Sequence, residues 1–377
     1  MNRQLTIVSL LLLFFSSAAL AASSCVAFDI SWNLLAFGLD GKDYNAGTKD
    51  SWASGSAKNI TTSGRPPFDG TNTTCYLSQF YNAIYVLNAD SSNPSNIYIY
   101  NAASSSWSTQ TVTTGNFDVS DFVAILDHDT NIFYALSKGE LYSLDMGSLT
   151  AANSTSLSWN DIEAPSFTTT GYNPVMALAQ NHIHFLDVPG NAAGTANIFV
   201  IHYSYFQPEV QSYGNNSFPA SHGQATSFFM DSGVQEDFAF IPDDGSATYV
   251  VSVETNTTQT LAGPSTKDSG ATYFASTDSL VQLTSDGAVS YISYSNSSTE
   301  ANTAATWSTV ANLASVAPAS SSAASSTTSK TGTSSAKGAA STSTGTGSSS
   351  NGAESAGVAI VSLGVTLMAG SIGMLLL

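Results

Sequence analysis

Two short stretches carry residues whose types and spacing could do chemistry. "DHDTN" places Asp127, Asp129 and Asn131 at the D-x-D-x-N interval of a calcium loop. The glycine that should follow is missing, and Lys138 stands where such a loop ends on glutamate. Lying between strand-like runs, the three residues read instead as turn formers. "NHIHF" puts His182 and His184 two apart. On a strand they share a face and could share a metal. With five histidines in the chain and no third ligand to name, a solvated or hydrogen-bonded pair is expected. Glycoside hydrolysis needs two carboxylates roughly 5 to 10 Å apart. Asp29, Asp121, Asp127, Asp187, Glu236 and Asp237 are the candidates, and chain spacing brings no two of them together. G-x-S-x-G, P-loop and H-E-x-x-H patterns are all absent. Neither catalytic residues, metal ligands nor a cofactor can be assigned.

The 377 residues carry 9 Lys and Arg against 27 Asp and Glu, a formal charge of −18. Nucleic acid is excluded as a partner, because binding it takes a basic surface. Only 10% of residues are charged, and Ser, Thr, Asn and Gly are abundant. Six N-x-[ST] sequons occur, at Asn59, Asn72, Asn153, Asn215, Asn256 and Asn296. Attached sugars would solvate a surface this poor in charge.

The first 21 residues hold one charge, Arg3, then an apolar run at 10–15 and the A-x-A pattern of Ala19 and Ala21. That is a secretory signal, removed after about Ala21. In the oxidising compartment this implies, the two cysteines, Cys25 and Cys75, are expected to form a disulfide. Residues 315–350 are a Ser/Thr-rich stalk, with 21 of 36 positions Ser or Thr and no aromatic. Nothing in it buries enough apolar area to offset chain entropy, so it is expected to be disordered and O-glycosylated. Extended, it reaches on the order of 110 Å. Residues 358–377 are apolar, with no basic residue after them. Small residues precede them, at Asn351, Gly352 and Ala353. Small ω-site residues, a spacer and a terminal apolar tail make a GPI-attachment signal. Asn351 is the favoured site, with Ser350 and Gly352 as alternatives, and residues 352–377 would be removed.

The remaining body, residues 22–314, must supply the elements that position any chemistry. Its texture is β. Runs such as "NAIYVL" (82–87), "NIYIYN" (96–101), "NIFYAL" (131–136) and "TYVVSV" (248–253) are rich in β-branched and aromatic residues. Turn signals at "SKG" (137–139), "PDDG" (242–245) and "SDG" (285–287) separate them. No segment shows a helical period. Trp52, Trp107 and Trp159 are 55 and 52 residues apart, and Trp307 lies 148 beyond Trp159. Unmarked repeats would then end near Tyr213 and Thr260. The series counts six units of up to four strands each, the mark of an all-β chain folded as a six-bladed β-propeller. Seven blades remain an alternative, since residues 25–75 are irregular. So does a β-sandwich pair or a β-helix.

"DFVAILDHDTNIFYALSKGELYSLD" and "ATYFASTDSLVQLTSDGAVSYISY" align as an inner strand followed by a hairpin. With their tyrosine-rich strands and downstream Trp, these units resemble the kelch family of propellers. Where that family has paired glycines, "IYVLNA" and "IFYALS" stand here. The disulfide would fasten the first blade to the second.

Signal, propeller, stalk and lipid signal together resemble GPI-anchored surface proteins of yeasts and filamentous fungi. The resemblance implies a plasma-membrane tether in the outer leaflet, with transfer to cell-wall glucan in some members. The implied role is wall organisation, adhesion, or binding of a protein or glycan through the propeller. A secreted carbohydrate-active enzyme with a carboxylate pair in the channel is the alternative.

Overall fold

The computed structural model describes residues 23–214 and 218–317. The leader, the sequon at Asn215, the stalk beyond Ala317 and the lipid site at Asn351 lie outside the described residues.

Six antiparallel sheets follow one another along the chain. Blade 1 runs from its inner strand Cys25–Phe28 to its outer strand Lys58–Asn59. Blade 2 runs from Thr74–Ser78 to Ser106–Gln110, and blade 3 from Phe122–Leu126 to Asn160–Glu163. Blade 4 spans Val175–Ala179 to Tyr205–Phe206, blade 5 spans Gly223–Ser227 to Thr257–Ala262, and blade 6 spans Thr272–Ala275 to Ser308–Thr309. Each is a four-stranded meander, except that the third strand of blade 4, Thr195–Val200, also pairs with Gln211–Ser212. The inner strands touch in cyclic order, and Thr272–Ala275 closes against Cys25–Phe28. The fold is therefore all-β, a six-bladed propeller, and the seven-blade alternative falls. Residues 25–59 build one blade whose connection to its outer strand is long, and residues 60–73 link it to blade 2, which explains the irregular look of this stretch.

The strands form where both faces are covered by neighbouring blades. Ala83–Leu87 is buried at every position, and Ile97–Asn101 at all but its last. That environment suits Ile, Val and Tyr. Tight turns fix the register. Lys138 and Gly139 both take positive φ (51° and 82°), and Ser137 pairs directly with Glu140. This is the two-residue hairpin whose twist matches the strands. Asp40–Gly41 and Gln180–Asn181 repeat it, without an obvious signal in the second case.

Aromatic pairs fill every gap between blades. Phe37 lies 5.1 Å from Trp107 between blades 1 and 2, and Tyr134 lies 6.1 Å from Phe199 between blades 3 and 4. Phe228 stacks on Tyr294 at 4.0 Å between blades 5 and 6. Trp107, Trp159 and Trp307 sit on or beside outer strands, and Thr260 falls in the outer strand of blade 5. The spacing of the tryptophans thus followed the blades.

Two short helices, Thr299–Ala304 and Ala311–Ala314, were not legible. At six and four residues they are too short to show a period. The second closes the ring. Asn312 donates from its backbone N to Trp52 O at 3.2 Å, and its Nδ2 donates to Ala46 O and Ser51 O of blade 1. The packed chain continues to Ala317, three residues into the compositional stalk. Tyr44 donates its hydroxyl to Val316 O, and Ala317 is buried in the core of blade 1.

Candidate functional site

Each inner strand is the edge of its sheet, paired on one side only. Its other side faces the central channel, offering backbone N–H and C=O groups that the ladder leaves free. Some are taken by the inner strand of a neighbouring blade. Leu178 N donates to Ser227 Oγ at 3.1 Å, and Ala124 O accepts from the Tyr76 hydroxyl at 3.2 Å. The cavity enclosed by the inner strands has a volume of 480 Å³, within the range of small-molecule sites.

One end of the channel is floored. The loop after the inner strand of blade 5, residues 228–236, crosses beneath the channel and meets the other blades. Phe229 stacks on Phe274 of blade 6 (6.1 Å, 11°) and lies 5.7 Å from Trp32 of blade 1. Gln79 Nε2 of blade 2 donates to Met230 O at 2.9 Å. Gln180 N of blade 4 donates to Gln235 O at 2.7 Å. Phe229 and Gln235 line the cavity from below.

The other end is the mouth. There the residues preceding or opening the inner strands converge, including Asn72, Ser120, Asn173, His222 and Ser269. Amides and hydroxyls both donate and accept hydrogen bonds. Further in, Thr74, Gln224 and Thr226 line the channel with Tyr76, Phe122 and Tyr273 and with aliphatic residues such as Val123, Ile125 and Met176. Asp121 is the one carboxylate among the described lining residues. At the mouth, His222 Nδ1 lies 2.7 Å from Asp243 Oδ2. Burial pushes the Asp187 carboxyl up; the nearby His222 opposes this and Asp243 adds to it.

The residues marked by sequence scatter. Asp127 is buried, accepts from Thr130, and is pushed up in pKa, chiefly by burial. Asn131 is committed to Ser78 Oγ at 2.7 Å and to the Tyr85 hydroxyl at 2.8 Å. Asp129 faces His128 and Asn181. The three point to different partners, so the spacing encodes a turn. His184 is buried between Tyr213 and Phe238, at 5.8 and 5.3 Å. Its Nδ1 is unpartnered. Burial drives its pKa down to about 3. His182, on the same strand, is only half-buried. No group of three or more His, Cys, Asp or Glu among the described residues is arranged to hold a metal. Asp29 caps its own turn through Ser31 N and Asn33 N, and Asp237 accepts from the Tyr294 hydroxyl at 2.7 Å. Glu236 belongs to the floor loop. None of the carboxylates marked in the sequence joins Asp121 in the lining.

Cys25 and Cys75 are bonded and join the inner strands of blades 1 and 2. The five sequons among the described residues are exposed at Asn59, Asn72, Asn153, Asn256 and Asn296. Asn59 lies on the outer strand of blade 1. Asn153, Asn256 and Asn296 lie in connections from third to outer strands. Of the five, Asn72 alone lines the channel.

Most of the channel was hidden from sequence reasoning. The inner strand "GQATS" of blade 5 has no apolar face, so it carries no hydrophobic period. That polarity is itself the missed signal, because a strand facing water-filled space needs no apolar side.

No family model matches the chain, and no curated protein matches it. Among solved structures the chain is similar to selenomethionine-substituted virginiamycin B lyase from Staphylococcus aureus. The identity is 11%, over 77% of this chain and 84% of that one, with a TM-score of 0.44. So distant a likeness says nothing about chemistry.

Proposed function

We propose that this chain is a cell-surface glycoprotein whose propeller binds a neutral glycan in its channel. In this reading the chain is secreted and glycosylated at its sequons. It stands on the Ser/Thr-rich stalk and is tethered by a GPI lipid at Asn351 to the outer leaflet, or passed on to wall glucan. The tryptophans beside the outer strands keep the kelch-like, fungal-surface resemblance within it.

The carrying observation is the lining. Amide, hydroxyl and aromatic side chains are interspersed with aliphatic ones around a floored cavity, with Asp121 its one carboxylate among the described residues. Sugar hydroxyls match groups that both donate and accept, and aromatic faces match sugar C–H surfaces. Hydrolysis would need a second carboxylate beside Asp121, so the lining favours binding over cleavage.

The test is a glycan array probed with the full-length chain, enzymatically deglycosylated. Saturable binding to a neutral glycan, weakened by Asn173→Ala, is expected. Binding to acidic glycans alone, or to none, overturns the reading. For the tether, phosphatidylinositol-specific phospholipase should release the chain from intact cells. Recovery of residues 352–377 in the mature chain would contradict it.

A further inference from the structure

Asn72 has two properties that no other described sequon combines. It is exposed within N-x-[ST], and it lines the channel mouth. It lies two residues before the inner strand Thr74–Ser78, at the level where Ser120, Asn173, His222 and Ser269 precede their own inner strands. Its backbone is left-handed, with φ of 56°, a conformation asparagine tolerates better than most residues. The neighbouring Thr73 is buried and donates its hydroxyl to Asn88 O at 2.9 Å. Asn88 is itself a lining residue. The attachment point is thus tied to the wall of the channel.

We propose that an N-glycan on Asn72 stands across the mouth and controls ligand access to the channel. Residues 228–236 cross the floor, with Phe229 and Gln235 in the lining, which leaves the mouth as the approach for a ligand. A branched oligosaccharide begins there on Asn72 Nδ2. It presents the same hydroxyl chemistry that the lining is built to hold, so the attached sugar competes with any free one. Glycans on Asn59, Asn153, Asn256 and Asn296 start outside the lining and leave the mouth free.

This inference rests on the channel-binding reading, and one experiment separates the two. The full-length chain is made in a eukaryotic secretory host as wild type and as Asn72→Gln, and part of the wild type is trimmed with an endoglycosidase that leaves one sugar on each asparagine. Trimming removes the branched glycan while keeping Asn72 and the lining hydroxyl of Thr74. Occupancy at Asn72 is read by mass spectrometry, and all three proteins are applied to one glycan array. Asn72→Gln and the trimmed wild type are expected to bind a neutral glycan at least about tenfold more tightly than the untrimmed, occupied wild type. That is the factor for a mouth open one-tenth of the time. Equal binding by all three overturns the gate and leaves the channel reading standing. Loss of binding in Asn72→Gln but not in the trimmed wild type overturns it as well, making Asn72 a ligand contact. An unoccupied Asn72 in the wild type removes the gate outright. Absence of binding by all three defeats the channel reading and the gate together.

Discussion

Asn312 Nδ2 lies 2.8 Å from the carbonyl oxygen of Ala46, across the seam between the last blade and the first. Every blade is built from one continuous stretch of chain, so among the described residues no strand is exchanged between the first and last blades to lock the ring. The seam is held by Asn312, by Lys49 paired with Asp278 at 2.5 Å, and by Leu313 and Ala317 in the core of blade 1.

Asn312→Ala should therefore destabilise the body by about 1 to 2 kcal/mol, since it takes the Nδ2 donor from Ser51 O and one of the two donors from Ala46 O, which keeps the Ser51 hydroxyl. Urea unfolding checks this. A lowered midpoint at unchanged slope is expected, and an unchanged midpoint would show that the seam needs no such clasp.

The disulfide closes a loop of 50 residues between blades 1 and 2. Chain-entropy arguments put its contribution at about 4 kcal/mol. The Cys25→Ala, Cys75→Ala double variant should lose an amount of that order in the same measurement.

Asp43 is wholly buried and held by Arg65, Nε to Oδ2 at 2.8 Å and Nη2 to Oδ1 at 2.7 Å. Removing the cation strands the carboxylate, so Arg65→Met should cost about 3 to 5 kcal/mol. Asp43 Oδ1 also accepts from Gly38 N. Arg65→Lys should rescue only part of the loss, because an ammonium cannot reproduce the two-pronged contact.

His184 should make the fold acid-sensitive. Its folded pKa is depressed to about 3, below the ordinary value near 6.5. Between those values the unfolded chain binds a proton that the native state refuses. Stability contributed at this site therefore falls as pH drops below about 6.5, by up to about 1.4 kcal/mol per pH unit. The difference in unfolding free energy between wild type and His184→Leu, followed from pH 7 to pH 5, isolates it. A difference that does not change with pH would contradict the assignment.

The parts of this molecule legible in the sequence are those whose surroundings are apolar on both sides. "NAIYVL" and "NIYIYN" are second and third strands, wedged between blades, and their composition announces them. Lys138 and Gly139 announce their hairpin through the glycine. The inner strand of blade 5 and the floor around Phe229 were not legible. Their roles come from closure of the ring, which brings together segments from all six blades. Asp127 and His184 looked chemical because of local spacing. Burial among neighbours from other blades assigned them to structure instead.

The central claim is that the channel holds a neutral glycan. It is tested most directly by titrating the strongest array glycan against the Asn72→Gln chain, with and without Asn173→Ala at the mouth. Asn72→Gln carrying Asn153→Gln, away from the lining, is the control. The account expects saturable binding that weakens roughly tenfold with Asn173→Ala, the worth of about one hydrogen bond, and is unchanged in the control. Binding indifferent to Asn173, or no binding at all, would contradict it.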